Sequence, residues 1–237
     1  MNIARLLQRL GRTRSANGGL LFVIAAPRAG TTRLAQFLTQ AEHVRPLAAE
    51  VRQHAEALLA TNLPASDRQT ALDATPERMS QLHQVLGDTS RGWMVEHTGI
   101  NALRVPFLAA AFPTARFVFL ARDPAEQVAR IIAAWHSGQY VTHQALPDWD
   151  GPWSLPLIPA WAALRGRSIA EIALAQWATI TAMALDDLAE LPDDRWCLLS
   201  YESLRSDPHG VMHMLGQFGG LRWRRTPTLA QLLATRQ

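Results

Sequence analysis

Seven consecutive apolar residues, Leu20-Leu-Phe-Val-Ile-Ala-Ala26, lie between Gly18-Gly19 and Pro27-Arg28-Ala29-Gly30. The run has neither a helical period nor polar alternation. A strand that is apolar at every position needs cover on both faces, the condition of an inner strand of a parallel sheet. Thr31 to Thr39 then reads as a helix, which gives strand, tight turn, helix. A second unit of this kind starts at Arg116: Phe117–Ala121 is a buried strand, Arg122-Asp123-Pro124 a turn with proline at the first helical position, and Ala125–Trp135 a helix. Trp196–Ser200 is a third strand, with a helix from about Pro208, and Trp93–Val95 a shorter fourth. Helices at roughly 49–60, 76–86, 101–111 and 168–190 separate them. The pattern predicts an α/β fold, a doubly wound parallel β-sheet flanked by helices in a single domain, with ligands at the strand C-termini.

Two stretches stand outside that rhythm. Residues 136–167 hold Trp149, Trp153, Trp161, Tyr140 and four prolines, and read as a long irregular insertion. Residues 1–19 form an amphipathic N-terminal segment, with Ile3, Leu6, Leu7 and Leu10 on one helical face and arginines opposite. Packing on the domain and contact with an anionic membrane surface are both open to it.

The 23 basic side chains are all arginine. Without lysine, Schiff-base chemistry is impossible, and so is the phosphate loop that ends in Gly-Lys-Ser/Thr. Arginine, a permanently charged planar fork, suits carboxylate, phosphate and sulfate but is a poor proton shuttle. Coding bias explains the same composition. The net charge of +3 is scattered. The only basic run with an aromatic is Arg222–Arg225, so no nucleic-acid partner is expected. A single cysteine, Cys197, excludes an intrachain disulfide and points to a reducing, cytoplasmic setting. The apolar run 20–26 is too short to span a bilayer, so no stable membrane insertion is expected.

Two turns are candidates for chemistry. In Pro27-Arg-Ala-Gly-Thr-Thr32 the backbone N–H groups of 29–32 open a helix N-terminus, a fixed-donor site for an anion, with Arg28 and the two threonine hydroxyls added. The alternative is a plain Thr-capped turn. Arg122 ends another strand at the same rim, placed either for a second phosphate or in a surface ion pair behind an Asp123 cap.

In these motifs the chain resembles the sulfotransferases that use 3′-phosphoadenosine 5′-phosphosulfate (PAPS), most closely the bacterial branch related to tyrosylprotein sulfotransferases. The resemblance rests on APRAGTTRL (26–34), HTGINALRVPFLAAAFP (97–113), ARFVFLARDP (115–124) and LPDDRWCLLSYESLRSDP (191–208). It implies a P-loop-type sheet over residues 20–237 and PAPS as co-substrate, without a metal. It further implies that Arg28, Ala29, Gly30, Thr31 and Thr32 hold the 5′-phosphosulfate and that Arg122 meets the 3′-phosphate. Tyr201 and Glu202 match a signature that supports the nucleotide pocket, and Glu50 falls near the position of the general base. Three departures are visible. Ala29 replaces a serine, Arg130 replaces a serine on the 3′-phosphate, and His97 stands where a lysine is common.

Sulfuryl transfer to a hydroxyl or an amine needs a base within hydrogen-bond reach, and Glu50 and His97 are the candidates. Each has a structural alternative, as an ion-pair or a packing residue. The aromatic insertion is the candidate lid over a small or hydrophobic acceptor, or else core filler. His209 and His213 are four apart but lack a third ligand, so no metal is expected. A P-loop kinase or NTPase, and a nucleotide-binding relative without activity, are the competing readings. The acceptor and the oligomeric state are not fixed by the sequence.

Overall fold

In the computed structural model, which describes residues 18–59, 65–86 and 92–224, the apolar run becomes β1 (Gly18–Ile24), the central strand of a parallel sheet. Its neighbours are β3 (Gly92–Glu96) and β4 (Arg116–Ala121). Outside these lie β2 (Val44–Pro46) and β7 (Trp196–Ser200), giving the order β2-β3-β1-β4-β7 with every pairing parallel. Helices follow strands: α1 (Thr31–Leu38) after β1, α2 (Ala49–Leu59) after β2, α4 (Val105–Ala111) between β3 and β4, and α5 (Pro124–Ser137) after β4. The others are α3 (Pro76–Leu86), α6 (Ile169–Ala189), α7 (Tyr201–Ser206) and α8 (Pro208–Gly219).

Alternation of side chains along β1 builds two cores. Leu20, Phe22 and Ile24 face one layer, with Phe107 and Leu108 of α4 and Ile180 and Ala184 of α6. Leu21, Val23 and Ala25 face the other, with Leu34, Phe37 and Leu38 of α1 and Leu215 and Phe218 of α8. Both faces of β1 are therefore dry, which explains a strand with no polar position. From β1 the chain first builds toward β3 and then crosses to β4 on the other side. The crevice at the C-terminal end of β1 is thus the switch point where ligands of such sheets bind.

Differences from the expected elements have local causes. Residues 101–111 do not form one helix. A 3-10 turn over Gly99–Leu103 gives way to α4, with Pro106 in its first turn, where a missing N–H costs nothing. The three-residue β2 was too short to show a period. The insertion 136–167 is less irregular than its sequence, since β5 (Val141–His143) and β6 (Trp153–Ser154) pair as an antiparallel hairpin. Its tryptophans are core. Trp153 is fully buried, and Trp149 and Trp135 meet its ring edge-to-face at 4.9 and 5.1 Å between centroids. Of the N-terminal amphipathic segment, residues 1–17 lie outside the described residues, and Gly18 and Gly19 belong to β1 instead.

Candidate active site

The chain leaves β1 through a turn with two left-handed residues, Arg28 (φ 66°) and Gly30 (φ 107°), and enters α1 at Thr31. An L-residue in that region costs about 1–2 kcal/mol, so the turn must be held from outside. Gln127 of α5 does this. Buried, it donates from Nε2 to the carbonyls of Ala26 and Pro27 at 2.8 and 2.9 Å, while its own oxygen accepts from Trp177 at 3.3 Å. Nothing in the sequence marked Gln127. Gly30 has a second reason to lack a side chain, because a Cβ there would lie 2.6 Å from the Tyr201 ring. No acidic residue occupies the first turn of α1, so the helix N-terminus keeps its attraction for an anion.

Two concavities flank this turn. The larger, about 790 Å³, is lined by Arg28, Thr31 and Thr32, by Arg52 and Glu56 of α2, and by His97 after β3. Asp67, Arg104, Tyr140, His143 and Leu155 complete much of its wall. The second, about 560 Å³, collects Arg33, Arg122, Arg130, Arg205 and Tyr201. Tyr201, whose ring stands against Gly30 of the turn, lines the second: its hydroxyl accepts from Arg33 at 2.7 Å, and the Arg122 guanidinium lies 4.2 Å from its ring centroid. Arg122 is buried and pairs with Glu126 at 2.7 Å, yet its Nε has no hydrogen-bond partner among the described residues. The same holds for Arg28 Nε and for Arg104 Nε and Nη1. Guanidinium groups with unmet donors fit oxyanion ligands. Burial pulls Arg104 down to about 10, so it stays charged at neutral pH.

Most of the sequence candidates fall into two groups. Arg28, Thr31, Thr32 and His97 share the large cavity, while Arg122, Arg130 and Tyr201 share the arginine basin. Ala29 is fully buried in the core under α1, so only its backbone faces the turn. A serine hydroxyl at this position would meet apolar side chains. Glu202 takes the Asp123 N–H at 3.1 Å and thereby steadies the residue after Arg122. Glu50 departs from expectation. It is exposed in the first turn of α2 and absent from the cavity wall, whereas Arg52 and Glu56 on that helix line it. Two residues turn a helix by about 200°, which points position 50 away from the face that Arg52 uses.

His97 is in the cavity but its Nε2 lies 3.3 Å from Arg52 Nη2. Arginine only donates, so His97 accepts at Nε2 and carries its proton on Nδ1. Burial first, and the Arg52 charge second, hold its imidazole below the ordinary value. Beside it, Glu96 is a buried carboxylate at the end of β3, an acidic strand end that the sequence reading did not pick out. It accepts from the Thr98 N–H at 2.9 Å and from Asn101, with Arg52 Nε 3.4 Å away. Burial pushes this carboxyl up. Its oxygens are taken by protein donors, which leaves it a brace for the 96–101 turn. Among the described residues no group of three His, Cys, Asp or Glu side chains is placed to hold a metal ion, and no helix is long and apolar enough to cross a membrane.

Residues 21–225 match the model of a family described as the sulfotransferase family. Solved structures share the fold. A sulfotransferase domain from the curacin biosynthetic pathway aligns at TM-score 0.57 and 16% identity, over 90% of this chain and 77% of that one. Sulfotransferase STF9 from Mycobacterium avium aligns at 0.57 and 17%, over 98% and 69%. A sulfotransferase from Alicyclobacillus acidocaldarius aligns at 0.51 and 13%, over 92% and 86%. No curated protein sequence matches the chain.

Proposed function

The chain belongs to the sulfotransferase family, and from that premise we propose that it moves a sulfuryl group from PAPS to the hydroxyl of a small acceptor bound in the large cavity. The observation that carries this reading is the pair of arginine-bearing concavities, one lined by the 27–32 turn and the other by Tyr201, whose ring stands against Gly30 of that turn. The 27–32 turn with Arg28 meets the 5′-phosphosulfate, and Arg122, with Arg130 beside it, meets the 3′-phosphate. A nucleotide with two separated anionic ends matches two arginine-bearing basins at the C-terminal ends of the neighbouring strands β1 and β4. A cavity of about 790 Å³ is of the size that encloses a small molecule.

The chain's part in the chemistry is alignment and charge. Sulfuryl transfer, like phosphoryl transfer, spreads negative charge over equatorial oxygens and onto the leaving phosphate. Arg28 and the N–H groups at the start of α1 are fixed donors at that place and need no reorganisation as the charge develops. Tyr140 steadies Arg28 from across the cavity: its hydroxyl accepts from Arg28 Nη1 at 2.7 Å, and its ring centroid is 4.5 Å from the guanidinium carbon. Both contacts restrict the guanidinium, so less entropy is lost on binding.

Calorimetry with 3′,5′-adenosine bisphosphate (PAP) tests the nucleotide assignment. Wild type binds PAP and not ATP–Mg²⁺, and Arg122→Ala loses about ten- to a hundredfold in affinity, the worth of one charge-assisted contact at about 1.5–3 kcal/mol. Absence of PAP binding by wild type overturns the reading.

A further inference from the structure

A proton must leave the acceptor hydroxyl, and neither residue that the sequence singled out is placed to take it. Glu50 is outside the cavity, and the Nε2 lone pair of His97 is engaged by Arg52. A different histidine is better placed. His143 ends β5 and lines the cavity, with Nε2 3.6 Å from Asp67 Oδ1. Asp67 is itself held on both sides by Leu157. Its Oδ2 accepts from the Leu157 N–H at 2.6 Å, and its own N–H donates to the Leu157 carbonyl at 2.8 Å. Three residues before His143, Tyr140 contacts Arg28. One short segment therefore reaches both the arginine of the anion turn and a histidine backed by a fixed carboxylate.

From this arrangement we infer that His143 is the general base of the transfer and Asp67 the residue that positions its ring, an inference that rests on the sulfuryl-transfer reading above. With Nε2 turned to Asp67, Nδ1 is the nitrogen left for the acceptor. The acceptor oxygen forms a bond to sulfur as the sulfur–oxygen bond to the 5′-phosphate breaks. That electron pair stays on the phosphate, and the hydroxyl proton passes to Nδ1. The imidazolium so formed faces the Asp67 carboxylate. A 3.6 Å separation in the free enzyme shortens to a hydrogen bond once the ring is charged, as acid–base contacts do on going to the reactive complex. A nucleophile, a base and a third group that orients the base make up the general arrangement for activating a hydroxyl.

The test is release of PAP from PAPS with a series of phenols of graded acidity, run on wild type, His143→Gln and Asp67→Asn after calorimetry with PAP on each. His143→Gln binds PAP within twofold of wild type and loses about 10²–10⁴-fold in turnover of the least acidic phenols. The loss shrinks toward nitrophenols, which arrive already ionised and need no base. Asp67→Asn shows the same trend at smaller size. A merely structural role lowers every phenol by one factor. That result, or a variant equal to wild type across the series, overturns the assignment. Failure of wild type to bind PAP overturns the nucleotide reading instead, so the two are told apart.

Discussion

Replacing Gln127 by leucine isolates what holds the anion turn. The side chain is buried, and its two donors satisfy the carbonyls of Ala26 and Pro27 at 2.8 and 2.9 Å, while its oxygen receives Trp177. Leucine fills similar space and meets none of these needs. Stranding a buried polar group costs about 1–3 kcal/mol, offset in part by apolar burial of the new side chain. The expected loss is about 2–4 kcal/mol, which for a domain of this length lowers the melting temperature by about 4–16 °C. PAP affinity falls at least tenfold, because the ordering of Arg28 and Gly30 that Gln127 now supplies must come out of the binding energy. Gln127→Glu is the sharper control. It keeps the shape and the acceptor for Trp177 but sets a carboxylate against two carbonyls, so at neutral pH it is no more stable than the leucine variant. Urea denaturation and PAP calorimetry on both variants measure the two effects. A leucine variant within about 0.5 kcal/mol of wild type, with unchanged PAP affinity, refutes the claim that this side chain holds the turn.

Two further outcomes follow from the geometry. Gly30→Ala pushes a Cβ to 2.6 Å from the Tyr201 ring at φ 107°, whereas a Cβ at Gly138, φ 64°, meets nothing within 4 Å. Both alanines carry about 1–2 kcal/mol of left-handed strain, and only the first must also move an aromatic ring, so Gly30→Ala is the less stable in denaturant and the only one to lose PAP binding. His97 is held below its ordinary value by burial and by Arg52. Its folded-state value lies under its unfolded one, so the stability it contributes is present above the ordinary imidazole range and is lost as pH falls through the folded value. His97→Gln keeps an acceptor for Arg52 and flattens that acid slope in stability-against-pH measurements. A variant with the wild-type slope excludes His97 as its source.

The ends of the chemical loops were the most legible parts of the sequence. A strand with no polar residue needs cover on both faces, and a glycine–threonine turn after it opens a helix at the sheet's rim, so Arg28 and Arg122 both fall at the C-terminal rim of the sheet. The end of β4 and the start of α5 followed from local signals of the same kind, an apolar run and a proline at the first helical position. Glu50 shows the limit: a position counted along a chain does not tell which face of a helix it occupies, and two residues' offset turned it out of the cavity. The insertion shows another. Tryptophans and prolines crowded into one stretch announce irregular backbone, but only packing decided that the tryptophan rings join the core while Tyr140 and His143 line the cavity. The sequence by itself determined the parallel sheet and the two arginine-bearing turns at its rim, because those depend on residues close together in the chain. Tertiary structure alone decided that Gln127 holds the turn, that Tyr201 demands Gly30, and that Asp67 stands behind His143. Each of those contacts joins residues 70 or more positions apart, and no local pattern records a partner at that separation.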